Sequence, residues 1–260
     1  MPWDPAQYLG FGSERLRPAL DLLARVPLEA PGLVVDLGCG PGQVTRILQA
    51  RWPAAQVLGV DGSPEMLARA AAEVPGLAWQ QADLAHWRPE APVDLLYANA
   101  SLHWLEDHAT LFPRLLAFLR PGGCLAVQMP RNHDRPSHQA AFAVAKESPW
   151  RDRLEPLLRR QPVAEPEAYR DWLAPSAATL DIWETDYLHR LEGPDPVVAW
   201  TRGSLLVPLL EALEPGEREA FLAAYRNRLR KAYPVDASGR TPFRFRRLFI
   251  VAQAQTRVSG

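Results

Sequence analysis

The sequence predicts an α/β protein built on a doubly wound, mostly parallel sheet of seven strands, with a helical cap inserted near the C-terminal strands. Three observations lead there. The apolar run Leu33-Val34-Val35-Asp36-Leu37 enters a turn carrying Gly38, Gly40 and Gly42, and a helical stripe of Val44, Ile47 and Leu48 follows. That is the order strand, tight turn, helix. Strand-like and helix-like stretches then alternate to Pro130, the pattern of parallel strands with helices on both faces. Beyond Pro130 the alternation stops, and helical stripes lie before and between the last two strand-like runs, 181–191 and 243–253.

Composition narrows the possibilities. The chain has 260 residues, 47% of them hydrophobic, and a formal net charge of -1. That suffices for one well-filled core plus an elaboration. There is no global positive field to gather nucleic acid or an acidic membrane. No run is long enough to span a bilayer, and the first residues lack a basic-then-apolar leader, so the expected address is the cytoplasm. Cys39 and Cys124 are the only cysteines, too far apart in sequence for a short metal motif, and no disulfide is expected. The histidines show no metal-ligand spacing such as H-E-x-x-H.

The elements follow in order. Trp3 to Phe11 is aromatic and loop-like, a strap or a lid over a bound ligand. Leu20, Leu23 and Val26 form a helical stripe, with Pro18 tolerable only in the first turn. After the opening strand, 43–50 reads as a helix and 56–60 as a second strand ending at Asp61. Ser63-Pro64-Glu65 is a strong helix start: cap, proline, acid. Residues 77–81 make a third strand that runs into Ala82-Asp83-Leu84. Residues 93–99 make a fourth, with Asn99-Ala100-Ser101-Leu102-His103-Trp104 at its carboxyl end. Residues 110–119 are helical, Pro121-Gly122-Gly123 is a turn, and 124–129 is the fifth strand. Further on, 195–233 is helical, broken near Pro208 and again at Leu213-Glu214-Pro215-Gly216. The expected organisation is a core at 1–130 including the N-terminal lid, a helical cap segment at 131–180, core strands at 181–191 and 243–255, and a cap insertion at 195–235. Insertions of this kind commonly close a substrate pocket.

The glycine turn is the chemical signal. A phosphate-binding loop would carry Gly-Lys-Ser/Thr, and a dinucleotide fingerprint would need a glycine where Gln43 stands. An acid two residues before Gly38 would repel a pyrophosphate and suit a cation such as an α-ammonium group. Asp61 lies about twenty residues past the glycines, where an α/β nucleotide fold places the acid that accepts the ribose hydroxyls. The pattern D-x-G-x-G-x-G after a strand resembles motif I of class I S-adenosylmethionine (SAM)-dependent methyltransferases, as does the L-R-P-G-G turn before the fifth strand. The resemblance implies that SAM is held by Tyr8, Asp36, Gly38, Gly40, Gly42, Asp61, Gly62, Met66, Asp83, Leu84, Asn99 and Trp104. In that family the Asp83 equivalent bonds the adenine amino group; a solvated acid or helix cap is the alternative for Asp83.

The stretches Trp3-Asp4-Pro5, Asn99 to Leu105, Val127-Gln128-Met129-Pro130, Asp181-Ile182-Trp183 and Arg247 to Ala252 further resemble the trans-aconitate 2-methyltransferase family. That resemblance implies a SAM-dependent O-methyltransferase that esterifies one carboxylate of a small polycarboxylic acid, most of all trans-aconitate, and releases S-adenosylhomocysteine. A carboxylate is already ionised at neutral pH, so no general base and no metal is called for. Arginines must hold the other carboxylates. The candidates are Arg247, Arg244 and Arg131, with His103, His133, Tyr187, Trp200 and Tyr225 as bonding or wall residues. Only one of Arg246 and Arg247 can face the pocket on a regular strand. Three readings compete: a malonyl-thioester carboxyl methyltransferase, an NAD-dependent oxidoreductase, and a non-catalytic SAM-binding protein.

Overall fold

The computed structural model describes residues 16–158 and 163–256. The expected strap from Trp3 to Phe11, with Tyr8, lies outside them. The described chain runs α1 (Arg17–Leu23), β1 (Leu33–Leu37), α2 (Gln43–Arg51), β2 (Gln56–Asp61), α3 (Pro64–Glu73), β3 (Ala78–Gln81), β4 (Val93–Asn99), a 3-10 turn at Leu102–Trp104, α4 (His108–Ala117), β5 (Leu119–Pro130) and α5 (Pro136–Ala145). It continues through α6 (Arg151–Leu154), a 3-10 turn at Glu155–Leu157, α7 (Pro166–Leu173), β6 (Ala177–Leu191), α8 (Pro196–Arg202), α9 (Val207–Glu211), α10 (Pro215–Ala232) and β7 (Thr241–Ala254).

All seven strands join one sheet in the order β3-β2-β1-β4-β5-β7-β6. β1 to β5 pair in parallel, and β7 runs antiparallel to β5. The order reverses at β1, whose neighbours are β2 and β4. Such a switch point opens a crevice at the carboxyl ends of the strands. β4 shows why the sheet is parallel and covered: from Leu95 to Ala98 every residue is buried, with none of the alternation of a half-wet strand. Tyr97 sends its hydroxyl to the carbonyl of Ala19, which ties α1 to the sheet.

Local signals in the sequence act as expected. Pro18, Pro64, Pro136, Pro166, Pro196 and Pro215 all stand in first helical turns, where a missing N–H costs nothing. Ser63 caps α3 by accepting from Met66 N, and Glu214 and Glu217 form a reciprocal cap on α10. Pro208 begins α9 rather than kinking a longer helix. β5 starts earlier than expected, at Leu119, because Leu119 pairs with Val93; the ladder then shifts register before Leu95 meets Cys124. β6 starts at Ala177 rather than Asp181.

The described residues divide into two units: 16–130 with 163–185 and 247–256, and 131–158 with 186–246. The second has its own apolar core, in which Val144, Leu154, Phe221, Tyr225 and Phe243 are fully buried. The division cuts the expected 131–180 segment. α7 belongs to the sheet-bearing unit because Tyr169 packs edge-on against Phe112 and meets His108. The carbonyl of Leu102 can only accept, so His108 Nε2 carries the proton, and Nδ1 accepts from the Tyr169 hydroxyl at 2.6 Å. This chain of bonds holds the Leu102–Trp104 turn in place.

Cys39 and Cys124 are both free and buried. Burial pushes the Cys124 thiol up to about 12, and Cys39 higher still. Among the described residues no helix is long and apolar enough to cross a membrane, and no three His, Cys, Asp or Glu side chains cluster to hold a metal ion.

Candidate functional site

A cavity of about 750 Å³ opens at the switch point, within the sheet-bearing unit. The glycine turn forms its floor at Gly38, the ends of β2 and β3 give Asp61, Gly62, Gln81, Ala82, Asp83 and Leu84, and the segment after β4 gives Ala100, Ser101, Trp104 and Leu105. Six of the residues implied by the resemblance therefore line it: Gly38, Asp61, Gly62, Asp83, Leu84 and Trp104.

The backbone of the turn is left-handed at Gly38 (φ 76°), Gly40 (φ 53°) and Gly42 (φ 82°). A Cβ on Gly38 would sit 2.2 Å from the Cβ of Ser101, whose hydroxyl donates to Leu37 O at 2.6 Å. Turn and β4 thus interlock, and only a glycine fits between them. A Cβ on Gly40 would meet nothing within 4 Å among the described residues. Gly42 serves packing: a Cβ there would lie 2.6 Å from the Trp79 ring.

Asp61 is the acid that organises the site. Oδ2 accepts from Gly40 N and Oδ1 from Ser63 N, each at 2.8 Å. A carboxylate has about four acceptor positions, so both oxygens retain capacity for a ligand's vicinal hydroxyls. Asp83 shows the local role expected of a loop acid and stands on the cavity wall. It holds its own turn by accepting from Ala85 N at 2.9 Å and pairing with His86 at 2.8 Å. The His86 bond, helped by that backbone N–H, holds its carboxyl below the usual range. Leu84, Leu105 and the ring of Trp104 are apolar surface for a flat heterocycle.

Asp36 does not stand where the sequence suggested. It is 1% exposed, accepts from the Thr45 hydroxyl at 2.7 Å, and is not among the described residues that line the cavity. Burial pushes its carboxyl up to about 7, against the Thr45 bond and with a smaller push from Asp61. Its bond to Thr45 ties the end of β1 to α2, and the half-buried Asp61 is the acid on the cavity wall. The folded-state value is raised, so the native protein keeps a proton that the unfolded chain releases near pH 4. Stability from this group falls as pH rises from about 4 to about 7 and is fully lost above that. Asp36→Asn keeps an acceptor for Thr45 without the charge. Its gain over the parent in urea denaturation is expected to grow from pH 4 to pH 8, reaching on the order of 2 kcal/mol. A gain independent of pH would refute this.

Of the remaining cofactor candidates, Met66 is in the first turn of α3 and Asn99 ends β4; neither lines the cavity. Asn99 Oδ1 is buried and finds no hydrogen-bond partner among the described residues. Gln81, Ala82, Ala100, Ser101 and Leu105 complete the wall; the sequence places them in strand ends and resembling stretches but attaches no role to them. Ala100 carries the clearest structural mark, a positive φ of 54° without being glycine.

The substrate candidates separate. Arg247 is buried at 6% exposure and donates from NH1 to Gln128 Oε1 at 3.1 Å. Its neighbour Arg246 points the other way, as strand parity requires, and pairs with Asp134 at 3.4 Å and Asp186 at 3.8 Å. Arg244 shares the Arg246 face and is exposed on β7. Arg131 is buried in the second unit, where its N–H bonds Arg246 O. His103 leans on Trp104 with ring centroids 4.7 Å apart. Tyr187 is buried and stacks over His189, and Trp200 packs against His189 and Phe243. His133 lies against Phe142. Tyr225 is a core residue: its hydroxyl donates to Ser137 O at 3.1 Å, with Thr201 Oγ1 3.2 Å away, so it is satisfied internally.

Comparison with known proteins agrees with this geometry. Residues 34–123 match the methyltransferase-domain family. A trans-aconitate 2-methyltransferase of Methylobacterium nodulans is 52% identical over 96% of this chain and 98% of its own length. One of Azoarcus sp. is 51% identical with the same coverages, and one of Streptomyces coelicolor is 48% identical over 96% and 86%. Among solved structures, YcgJ of Bacillus subtilis superposes with a TM-score of 0.60 at 14% identity, covering 92% of this chain and 97% of that one. Phosphoethanolamine N-methyltransferase 2 of Haemonchus contortus gives 0.54 at 15% identity, covering 93% and 53%. Those two likenesses concern the fold alone; the near-complete and roughly half-identical matches settle the family, and the chain belongs to the trans-aconitate 2-methyltransferases.

Proposed function

We propose that this chain is a SAM-dependent O-methyltransferase that esterifies one carboxylate of trans-aconitate, giving the monomethyl ester and S-adenosylhomocysteine. The observation that carries the reading is identity of 47–52% over 96% of the chain to enzymes bearing that activity in their name. The cavity supports it: a left-handed glycine turn, a carboxylate with spare acceptor positions at Asp61, and apolar walls at Leu84, Leu105 and Trp104 fit an adenosyl amino acid.

SAM supplies an electrophilic methyl group on a sulfonium. The protein's own task is to hold the two reactants and exclude water. The accepting carboxylate is ionised at neutral pH, so no side chain needs to remove a proton. Attack of an anion on a cation cancels charge, which a dry site favours, and alignment supplies much of the remaining acceleration. We assign Asp61 to the ribose hydroxyls, Asp83 to the adenine edge, and the backbone around Gly38 and Gly40 to the amino-acid part. Arg247 is assigned to a substrate carboxylate. Its buried guanidinium has a fork geometry that suits a planar carboxylate. Two buried free thiols suit a reducing cytoplasm.

The test is transfer of a radiolabelled methyl group to a panel of di- and tricarboxylates and a malonyl thioester. The expected product is a base-labile ester formed best on trans-aconitate. Preference for the thioester would move the assignment to the competing carboxyl methyltransferase. Transfer to none of them, with SAM bound, would leave only a SAM-binding protein.

A further inference from the structure

Gln128 sits in the stretch Val127-Gln128-Met129-Pro130 at the carboxyl end of β5. Its side chain is fully buried. Oε1 accepts from Arg247 NH1 at 3.1 Å. A guanidinium can only donate, so Oε1 must face Arg247, and the amide cannot be turned over. Nε2 is thereby directed away from Arg247, and it finds no acceptor among the described residues. A buried donor without a partner is costly, and folded proteins seldom leave one without a reason.

The register says what surrounds it. Gln128 stands opposite Asn99 on β4 and Phe249 on β7. Arg247 is two residues from Phe249, so Asn99, Gln128 and Arg247 share one face of the sheet at the carboxyl ends of β4 and β5. Immediately after Asn99 come Ala100 and Ser101, which line the cavity.

We infer that Gln128 is a substrate-binding residue: Oε1 is committed to Arg247, and Nε2 donates to a carboxylate oxygen of the polycarboxylate that Arg247 holds. The inference rests on the role proposed above for Arg247. Two donors on one sheet face, one charged and one neutral, suit a group that only accepts, and a carboxylate is such a group. The neutral donor adds selectivity without a second buried charge that would itself need compensation. A purely structural alternative exists, because Asn99 Oδ1 is also buried without a partner and could take the Nε2 proton.

The experiment is calorimetric titration of trans-aconitate into enzyme saturated with S-adenosylhomocysteine, for the parent, Gln128→Glu and Gln128→Met. Gln128→Glu keeps an acceptor for Arg247 and replaces the donor with an anion; the Kd for trans-aconitate is expected to rise about 100-fold. Gln128→Met keeps the volume and removes both polar atoms; a rise of about 10-fold is expected. S-adenosylhomocysteine affinity, unchanged in both, shows that the variants are folded and separates binding from mere structure. An unchanged trans-aconitate Kd in Gln128→Glu, with or without a lower Tm, overturns the inference and leaves the bond to Asn99 as the explanation. Failure of the parent itself to bind trans-aconitate overturns the polycarboxylate reading, and this inference with it.

Discussion

Arg247→Ala is expected to raise the KM for trans-aconitate by about 100-fold while the Kd for SAM stays within about twofold. The loss is large because Arg247 is buried, so its bond to a carboxylate is made with little competition from water. Arg247→Lys keeps the charge but not the fork, and an intermediate rise of about 10-fold is expected. Removing the guanidinium also leaves Gln128 Oε1 without its donor, a cost of about 1–3 kcal/mol in stability that urea denaturation would register. Steady-state kinetics with each reactant varied in turn make the check. Equal effects on both reactants would mean that Arg247 supports the fold rather than the substrate.

Asp61→Ala should have the complementary profile: SAM affinity weakened about 100-fold, by calorimetry, with the carboxylate substrate far less affected. Two losses combine. The ribose acceptor disappears, and the N–H groups of Gly40 and Ser63 lose the oxygens that fix the turn and the start of α3. Asp61→Asn retains one acceptor oxygen and should fall between. Unchanged SAM affinity in Asp61→Ala would refute the assignment.

Much of this molecule is legible without coordinates, for local reasons. The strands before and after the glycine turn announce themselves as apolar runs, and Ser63-Pro64-Glu65 carries its cap in three residues. The antiparallel β7 and the early start of β5 are less legible, since both depend on partners distant in sequence. At the site, Asp61 and Gly38 follow from spacing. Asp36 misleads because spacing says nothing of depth; its partners Gly59 and Tyr97 in the ladder place it inside the sheet. Tyr225 had a warning attached, standing four residues after Phe221 and four before Leu229 on one buried helical stripe. Arg244 shares parity with Arg246 and not with Arg247, so alternation sets Arg244 and Arg247 on opposite faces. Ser101 could not be read in advance, because its meaning lies in the carbonyl of Leu37 and in the space Gly38 leaves.

Trp79 has one more consequence. It pairs directly with Gly59 across β2 and β3, and its indole occupies the volume that side chains at both Gly59 and Gly42 would claim, at 2.4 and 2.6 Å. Part of the instruction for the glycine loop is therefore written in the third strand, in a residue that no loop signature includes. Anyone retailoring that loop for another ligand inherits a three-way size exchange: enlarging position 42 or 59 first demands a smaller group at 79.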